Sequence, residues 1–286
     1  MKNILITGKD SYIGLSLEKW LSGYSGKYSI ASVDMRDEQW REYDFSKFDT
    51  VFHVAGIAHV SADQRLESLY YKVNRDLAIE TAKHAKASGV KQFIFMSSII
   101  VYGNTNADNG MIRKDTVPKP DNFYGNSKLM AEVGIRELEN EEFKVVILRP
   151  PMIYGKGSKG NYRKLSIMAQ RIPIFPKLHN QRSMLYIDNL CEFIRLMIDN
   201  EEKGIFFPQN YEYVATSDMV RVIAQVHGKK VGLTKLFNPM LKLLQKRNGI
   251  VNKIFGSLAY EKSMSSYPQY YQMKDFQKSI EETEEF

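Results

Sequence analysis

Five short β-rich runs alternate with segments of helical periodicity over the first half of the chain, and this alternation constrains the fold more than any other feature. NILIT is the first run; Ile13, Leu17, Trp20 and Leu21 then recur at i, i+4, i+7 and i+8, one face of a helix. YSIASVD follows as a second strand ending at Asp34, and TVFHVAG as another. Val73, Leu77, Thr81 and Ala85 then fall every four residues, and QFIFMSS is a nearly continuous apolar run of the kind covered on both faces. Tyr124 to Leu138 predicts a helix, and KVVILR closes the series. Strands separated by helices predict right-handed βαβ units, and so an α/β fold with a parallel, doubly wound sheet.

Beyond Arg149 the alternation loses its regularity and prolines cluster at Pro150, Pro151, Pro173 and Pro176. This change marks a second, smaller region. LYIDNLCEFIRLMI predicts a return to the main sheet with its covering helix, and residues 204–286 predict mixed short strands and helices. The expected division is therefore a first domain over 1–155, with 183–203 returning to it, and a second region over 156–182 and 204–286. The acidic end, EETEEF, is expected to fray.

Composition excludes several classes. A chain of 286 residues, 43% hydrophobic and 12% aromatic, can bury a large core and is not disordered. MKNILITGKD has only a short apolar run and predicts a first strand instead of a signal peptide. No apolar run approaches the roughly 18 residues of a spanning helix. The single cysteine, Cys191, lies in an apolar helical pattern, which predicts a core residue in a reducing, cytoplasmic setting. The net charge of +7 comes from lysines and arginines scattered among 33 acidic residues, which argues against a nucleic-acid partner. In LKLLQKRNGIVNKIFG, however, Lys242, Lys246, Arg247 and Lys253 flank leucines and isoleucines at near-helical spacing. That pattern fits an exposed amphipathic face or, over residues 242–253, a peripheral membrane contact.

TGKDSYIG links the first strand to the first helix with Gly8 and Gly14 separated as a Rossmann turn requires. The first glycine permits the tight turn and the last lets helix pack closely on strand. Between them the amides of Ser11, Tyr12 and Ile13 open a helix, where they can hold a pyrophosphate. Ser11 stands where a middle glycine is usual; it is small and can donate a hydrogen bond. Asp34, twenty positions beyond Gly14, can accept both hydroxyls of an adenosine ribose and favours NAD. Arg36, two residues on, can attract a 2′-phosphate, which keeps NADP open. Asp44 is expected at the end of a third strand, where it can accept from the adenine amino group.

Tyr124-Gly-Asn-Ser-Lys128 lies 26 residues downstream of Ser98. On a helix, residues four apart share a face, so a phenol and an ammonium can meet one point in space. An ammonium nearby stabilises phenolate and is expected to lower the tyrosine pKa from about 10, readying it for proton exchange at an alcohol or ketone carbon.

With these pieces in order, the chain resembles the extended short-chain dehydrogenase/reductase family, particularly its nucleotide-sugar epimerases and dehydratases. The likeness is carried by TGKDSYIG, Asp34, VFHVAGIAHV, YKVNRDLA with Asn74, GVKQFIFMSSIIVYG, YGNSK, LRPPMIYG with Asn161 further on, and NQRSMLYIDN. Within the family it is similar to bacterial enzymes of surface-polysaccharide synthesis that act on UDP-linked hexoses or N-acetylhexosamines. The resemblance implies that Ser98 hydrogen-bonds the reacting oxygen, with Ser97 mainly structural. It implies that Tyr124 exchanges the proton, and that Lys128 holds the nicotinamide ribose. Ala55 and Gly56 would approach the cofactor through their backbone, Asn74 would join the cofactor site, and Pro151 and Met152 would lie beside the nicotinamide. Arg182 would meet the nucleotide diphosphate and Asn161 would face the sugar nucleotide.

Three readings follow from the resemblance. The first is an NAD-dependent UDP-sugar 4-epimerase working through a 4-keto intermediate. The second is an NAD(P)H-dependent reductase of a UDP-4-keto-6-deoxy sugar, which the same Ser-Tyr-Lys set can serve. The third, a non-catalytic dinucleotide sensor, is disfavoured by the retention of all three residues. Elimination is disfavoured too, because Ile99 and Ile100 stand where dehydratases carry an Asp-Glu pair. Relatives of this family often dimerise through two helices per subunit, and the helix from Tyr124 is a candidate.

Overall fold

The computed structural model describes residues 1–58, 63–103, 110–177, 179–247 and 255–285. In chain order its first elements are β1 (Lys2–Thr7), α1 (Tyr12–Ser22), β2 (Tyr28–Val33), β3 (Thr50–His53), α2 (Glu67–Tyr70), α3 (Leu77–Ala87), β4 (Gln92–Met96), β5 (Met111–Ile112), α4 (Phe123–Arg136) and β6 (Lys144–Leu148). They are followed by β7 (Met152–Tyr154), α5 (Asn161–Ala169), β8 (Ile174–Pro176), β9 (Met184–Tyr186), α6 (Ile187–Asp199), β10 (Gly204–Phe206), α7 (Thr216–Val226), β11 (Gly232–Thr234), α8 (Asn238–Arg247), β12 (Ala259–Tyr260) and α9 (Phe276–Glu284). Two compact units divide the chain, one of Met1–Gly103, Val117–Pro150 and Leu190–Pro208, the other of Asn104–Thr116, Pro151–Asn189 and Gln209–Phe286. Segment 104–116, which the sequence assigns to the first domain, thus groups with the second unit, and the returning stretch breaks within α6.

The first unit carries a six-stranded sheet in the order β10-β6-β4-β3-β1-β2, every pairing parallel. Leu5, Val51, Phe93, Phe95, Val145 and Ile147 project from one face into a cluster with Ala78, Ala82 and Ala85 of α3 and Ala131 and Ile135 of α4. The alternate residues Ile4, Ile6, Phe52, Ile94, Val146 and Leu148 are also fully buried. A parallel sheet covered on both faces requires this, and it explains the near-continuous apolar runs of the sequence. Small alanines on the inner faces of α3 and α4 let both helices approach the bulky strand residues.

Three expectations about elements are corrected. Segment 38–47 forms 3-10 turns at Glu38–Glu42 and Phe45–Lys47 in place of a third strand, with Asp37 and Asp44 accepting the capping bonds. Asp44 therefore does not end a strand: side chains that bond their own backbone two residues on compete with sheet pairing. LYI does not rejoin the main sheet, because Met184–Tyr186 pairs in parallel with Met152–Tyr154 in the second unit, and the three residues of β10 fill the edge beside β6. The acidic end does not fray over residues 281–284. It belongs to α9, where Glu284 accepts hydrogen bonds from Tyr162 (2.7 Å) and Ser166 (2.8 Å) and pairs with His227 (2.8 Å).

The helix repeat through Val73, Leu77, Thr81 and Ala85 has a local irregularity. Tyr71–Asp76 forms a π turn between α2 and α3. The extra residue turns Asn74 inward, where it is fully buried. Such turns interrupt the i to i−4 ladder and often mark functional positions.

One ion pair ties α4 to the end of β6. Arg149 donates from Nε to both carboxylate oxygens of Glu132 at 3.1 Å, and both residues are buried. Ser97 donates to the same carboxylate, and Arg149 Nη1 reaches the Tyr102 hydroxyl at 2.8 Å. Removing one partner strands the other charge in the interior, so Arg149→Met is expected to destabilise the first unit by about 3–5 kcal/mol. The double variant Arg149→Met, Glu132→Leu should recover much of that loss. Urea titration of the parent, the single and the double variants checks this; equal losses in the two variants would contradict it.

Candidate active site

The parallel strand order places the turn after β1 beside the turn after β3, at the point where chain connections diverge to opposite sides of the sheet. Ligands of such sheets bind outside the carboxyl ends of the strands there. Gly8 ends β1 with φ of 120°, and a Cβ on it would stand 2.9 Å from the backbone nitrogen of Ala55. Glycine is thus required twice, by its dihedral and by the close passage of the β3 turn. Val54 and Ala55 both donate to the carbonyl of Thr7, at 3.1 and 2.9 Å, which fixes that passage.

Ser11 is the N-cap of α1, and its hydroxyl accepts from the amide of Gly14 at 3.1 Å. This accounts for serine in the middle position: its oxygen satisfies one of the orphan amides of the first turn. Tyr12 and Ile13 open the helix, and their amides remain at its positive end. A Cβ on Gly14 would meet Ser11 Oγ at 2.6 Å and Ile6 Cγ2 at 3.1 Å, so the last glycine sets the close packing of α1 on β1. The narrow backbone cradle, the helix N-terminus and the absence of bulk at both glycines fit a dinucleotide pyrophosphate.

Asp34 directly follows β2, as expected, and its carboxylate is engaged by Arg36. Arg36 Nε lies 2.9 Å from each oxygen, and the Arg36 amide donates to Oδ1 at 3.0 Å. These hydrogen bonds hold the Asp34 carboxyl at about 2, well below the usual range. The residues that favour NAD and NADP therefore contact each other. Asp44 lies apart, exposed and bonded to Ser46 and Lys47.

The remaining predicted residues of the first unit converge. Asn74 accepts from the Ile57 amide at 2.8 Å, donates to the Ile57 carbonyl at 3.0 Å and reaches Ser127 Oγ at 3.3 Å. It pins the strand turn to α4. A Cβ on Gly56 would lie 3.0 Å from Asn74 Oδ1 and 3.3 Å from Lys128 Nζ, so this turn runs against the lysine. Ser98 caps the turn Ile99–Tyr102, accepting from the Ile100 amide at 3.3 Å. Tyr124, Lys128 and Glu132 follow one another at four-residue intervals on α4.

The electrostatics differ from the expectation drawn from the Tyr-Lys spacing. Burial pushes the Tyr124 phenol up to about 12, against the lowering effect of the Ser98 hydrogen bond. Lys128 does not depress it, because its ammonium donates to the Met96 carbonyl at 2.8 Å and lies 4.7 Å from the centre of the Phe95 ring. Burial in turn lowers Lys128 to about 8, with the Glu132 charge opposing the fall. His53, fully buried and pushed down to about 3 by burial and by the Lys128 charge, stays neutral and bonds Thr7 through Nδ1 at 2.8 Å. His53, Glu132 and Arg149 escaped the sequence reading. Only Glu132 carried a signal, the third step of the spacing that begins at Tyr124.

The other predicted residues belong to the second unit. Pro151 is buried just before β7, Met152 begins that strand, and Asn161 is the exposed first residue of α5. Arg182 is half-buried. Its backbone bridges Val214 and Leu258, its Nη1 donates to the Gly256 carbonyl at 3.0 Å, and burial lowers its pKa.

A parallel sheet with a narrow glycine turn that fits a pyrophosphate, and with Ser98, Tyr124 and Lys128 at its carboxyl edge, is the arrangement of a dinucleotide-dependent enzyme of the Rossmann class. Among the described residues no helix is long and apolar enough to cross a membrane, and no cluster of His, Cys, Asp or Glu could hold a metal ion. The profile of the NAD dependent epimerase/dehydratase family matches residues 4–207, and the chain belongs to that family. It is 31% identical to a UDP-glucose 4-epimerase of Vibrio cholerae over 246 residues, 78% of this chain and 75% of that protein. It is 30% identical to an N-acetyl-alpha-D-glucosaminyl-diphospho-ditrans,octacis-undecaprenol 4-epimerase of Escherichia coli O157:H7, over 89% of this chain and 81% of the relative. In fold it matches a UDP-glucuronic acid 4-epimerase of Bacillus cereus solved with NAD, at 16% identity and a TM-score of 0.75, covering 98% of this chain and 96% of that one. A dTDP-4-dehydrorhamnose reductase of Yersinia enterocolitica matches equally in fold, with a TM-score of 0.75 at 18% identity, over 99% and 98% of the two chains.

The depressed Lys128 value sets a pH dependence. The ordinary lysine value is about 10.4, so between about 8 and 10.4 the folded chain has released this proton while the unfolded chain still holds it. The Lys128 contribution to stability therefore rises with pH through that window, and below it the folded state bears the full cost of the buried ammonium. Without added nucleotide, Lys128→Met should show its largest stability advantage over the parent near pH 7 and a smaller one near pH 10. Urea midpoints at the two pH values check this; a difference that does not change with pH would contradict it.

Proposed function

We propose that the chain is a 4-epimerase of a UDP-linked hexose or N-acetylhexosamine, acting through a 4-keto sugar. The observation that carries the reading is that Tyr124 and Lys128 share one face of α4 with the Ser98 hydroxyl acting on the phenol, next to Ile99 and Ile100, which provide no acid–base pair for elimination. The names of the two sequence relatives support C4 as the reacting position.

Tyr124, as phenolate, takes the proton of the sugar 4-hydroxyl and later returns it. Burial disfavours that phenolate and the Ser98 hydroxyl favours it; Ser98 would also hold the reacting oxygen in line. A bound NAD would supply the hydride acceptor and donor at C4. The amides of Tyr12 and Ile13 would hold its pyrophosphate, with Ser11, whose own amide donates to the Gly8 carbonyl at 3.1 Å, capping the helix beside it; Asp34 would hold its adenosine ribose and Lys128 its nicotinamide ribose, with Ala55, Gly56 and Asn74 shaping the passage. Asp44, on its exposed turn, is retained only as a contact to the adenine. Pro151 and Met152 would border the nicotinamide, and Arg182 and Asn161 would serve the sugar nucleotide. Because Asp34 can hold a ribose only when its oxygens are free of Arg36, NADP stays the alternative carrier. The buried lone cysteine supports a reducing, cytoplasmic setting. Exposed Met130 and Val133 on α4 support a homodimer through that helix.

The second reading is a 4-keto-sugar reductase, favoured by the Arg36 guanidinium at the ribose carboxylate. The Escherichia coli relative adds a polyprenol-diphosphate-linked N-acetylhexosamine as a second substrate form. Incubation with UDP-sugars, UDP-4-keto sugars and polyprenol-diphosphate sugars, with and without NADH and NADPH, separates these cases. Epimer formation without added reductant supports the first reading; turnover only with stoichiometric reductant replaces it by the second. Tyr124→Phe should lose about 10²–10⁴-fold in turnover while still binding dinucleotide, and unchanged activity would reject the mechanism.

A further inference from the structure

The second unit turns an apolar helix face outward. Leu241 of α8 is buried and anchors the helix, while Met240, Leu243 and Leu244, at i, i+3 and i+4, are 55%, 56% and 37% exposed. The preceding turn adds Leu236 at 79% and Phe237 at 41%, and it is held by the Leu236 amide on Thr234 Oγ1 and by Asn238 Nδ2 on the Lys177 carbonyl. Scattered apolar surface residues need no explanation; five large ones on consecutive turns do.

The charge of this stretch of chain is of one sign. From Lys229 to Tyr260 the sequence carries Lys229, Lys230, Lys235, Lys242, Lys246, Arg247 and Lys253, and not one aspartate or glutamate. Positions 242 and 246 lie one turn apart on a stripe of α8 separate from that of 240, 243 and 244. An apolar stripe bordered by a cationic one is the pattern of a helix lying in a lipid interface, its leucines among acyl chains and its lysines extended to headgroups. A second copy of the chain is a poor occupant, because a two-fold contact would set this cationic segment against itself.

We propose that α8 and the turn before it dock the protein on an anionic membrane surface. The proposal is independent of the sugar chemistry, and its readout needs no turnover. Residues 248–253 of the basic stretch lie outside the described residues.

The test is co-sedimentation of the full chain with vesicles of phosphatidylcholine alone and of phosphatidylcholine with phosphatidylglycerol, at low and at high salt. Binding is expected to be at least about tenfold tighter to the anionic vesicles and to weaken with salt. Leu243→Glu with Leu244→Glu, both outward side chains, should lower it about tenfold with unchanged far-ultraviolet dichroism and thermal midpoint; Lys242→Glu with Lys246→Glu should do the same. Failure to bind either vesicle, or binding that both pairs of substitutions leave intact, overturns the proposal. So does a parent that elutes as a dimer and a leucine variant that elutes as a monomer without loss of vesicle binding, since the face would then belong to a second copy.

Discussion

The buried Glu132–Arg149 pair is the contact on which the first unit's chemistry depends. It joins the inner face of α4, which carries Tyr124 and Lys128, to the chain leaving β6. Through Ser97 it also grips the turn that presents Ser98. A buried ion pair is an uncertain source of stability, because desolvating two charges offsets their attraction. Its value here is positional. The carboxylate has one geometry that satisfies Ser97 and the guanidinium at once, and that geometry fixes the rotation of α4 against the serine turn.

The same carboxylate acts on the lysine one turn away. Lys128 sits among Met96, Phe95, Gly56 and neutral His53, a setting that penalises an ammonium, and the Glu132 charge opposes that penalty. The protein alone therefore holds an ammonium that gives up its proton more readily than an ordinary lysine, beside a tyrosine held firmly protonated. Both groups lie away from their ordinary values toward lower charge, as buried catalytic groups commonly do. The Tyr-x-x-x-Lys spacing aligned the two on one face, yet the lysine's hydrogen bond to the Met96 carbonyl directs its charge elsewhere. What the tyrosine does have is Ser98, whose hydroxyl is the one influence drawing its value down.

Much of this was legible in the residues. Continuous apolar runs announced strands covered on both faces, and the positions of Gly8 and Gly14 announced a turn whose dihedral and clearance indeed admit only glycine at the first position. The failures have physical causes. Asp37 and Asp44 capped their own backbone and dissolved an expected strand, a competition that hydrophobic periodicity does not register. The short LYI run paired with β7 because tertiary contacts override local pattern in strands of three residues. EETEEF read as a frayed end because nothing local revealed Tyr162, Ser166 and His227, whose polar atoms meet Glu284 from distant points in the chain. Electrostatic tuning was least legible, since burial sets it and burial is a property of the whole fold.

Asp34 and Arg36 show how far two adjacent preferences can be coupled. Read separately, the carboxylate selects a free ribose hydroxyl pair and the guanidinium selects a phosphate. Joined as they are, with Arg36 also 3.6 Å from Asp10 beside the glycine turn, each is the other's competitor for the ligand. A ribose must displace Arg36 from oxygens it already holds, whereas a 2′-phosphate must draw the same guanidinium away while facing the carboxylate. The exposed setting keeps the cost of either exchange low, because water and salt screen the pair. Discrimination between the two carriers is consequently set by the difference between two exchanges on one ion pair, a smaller quantity than either residue alone implies.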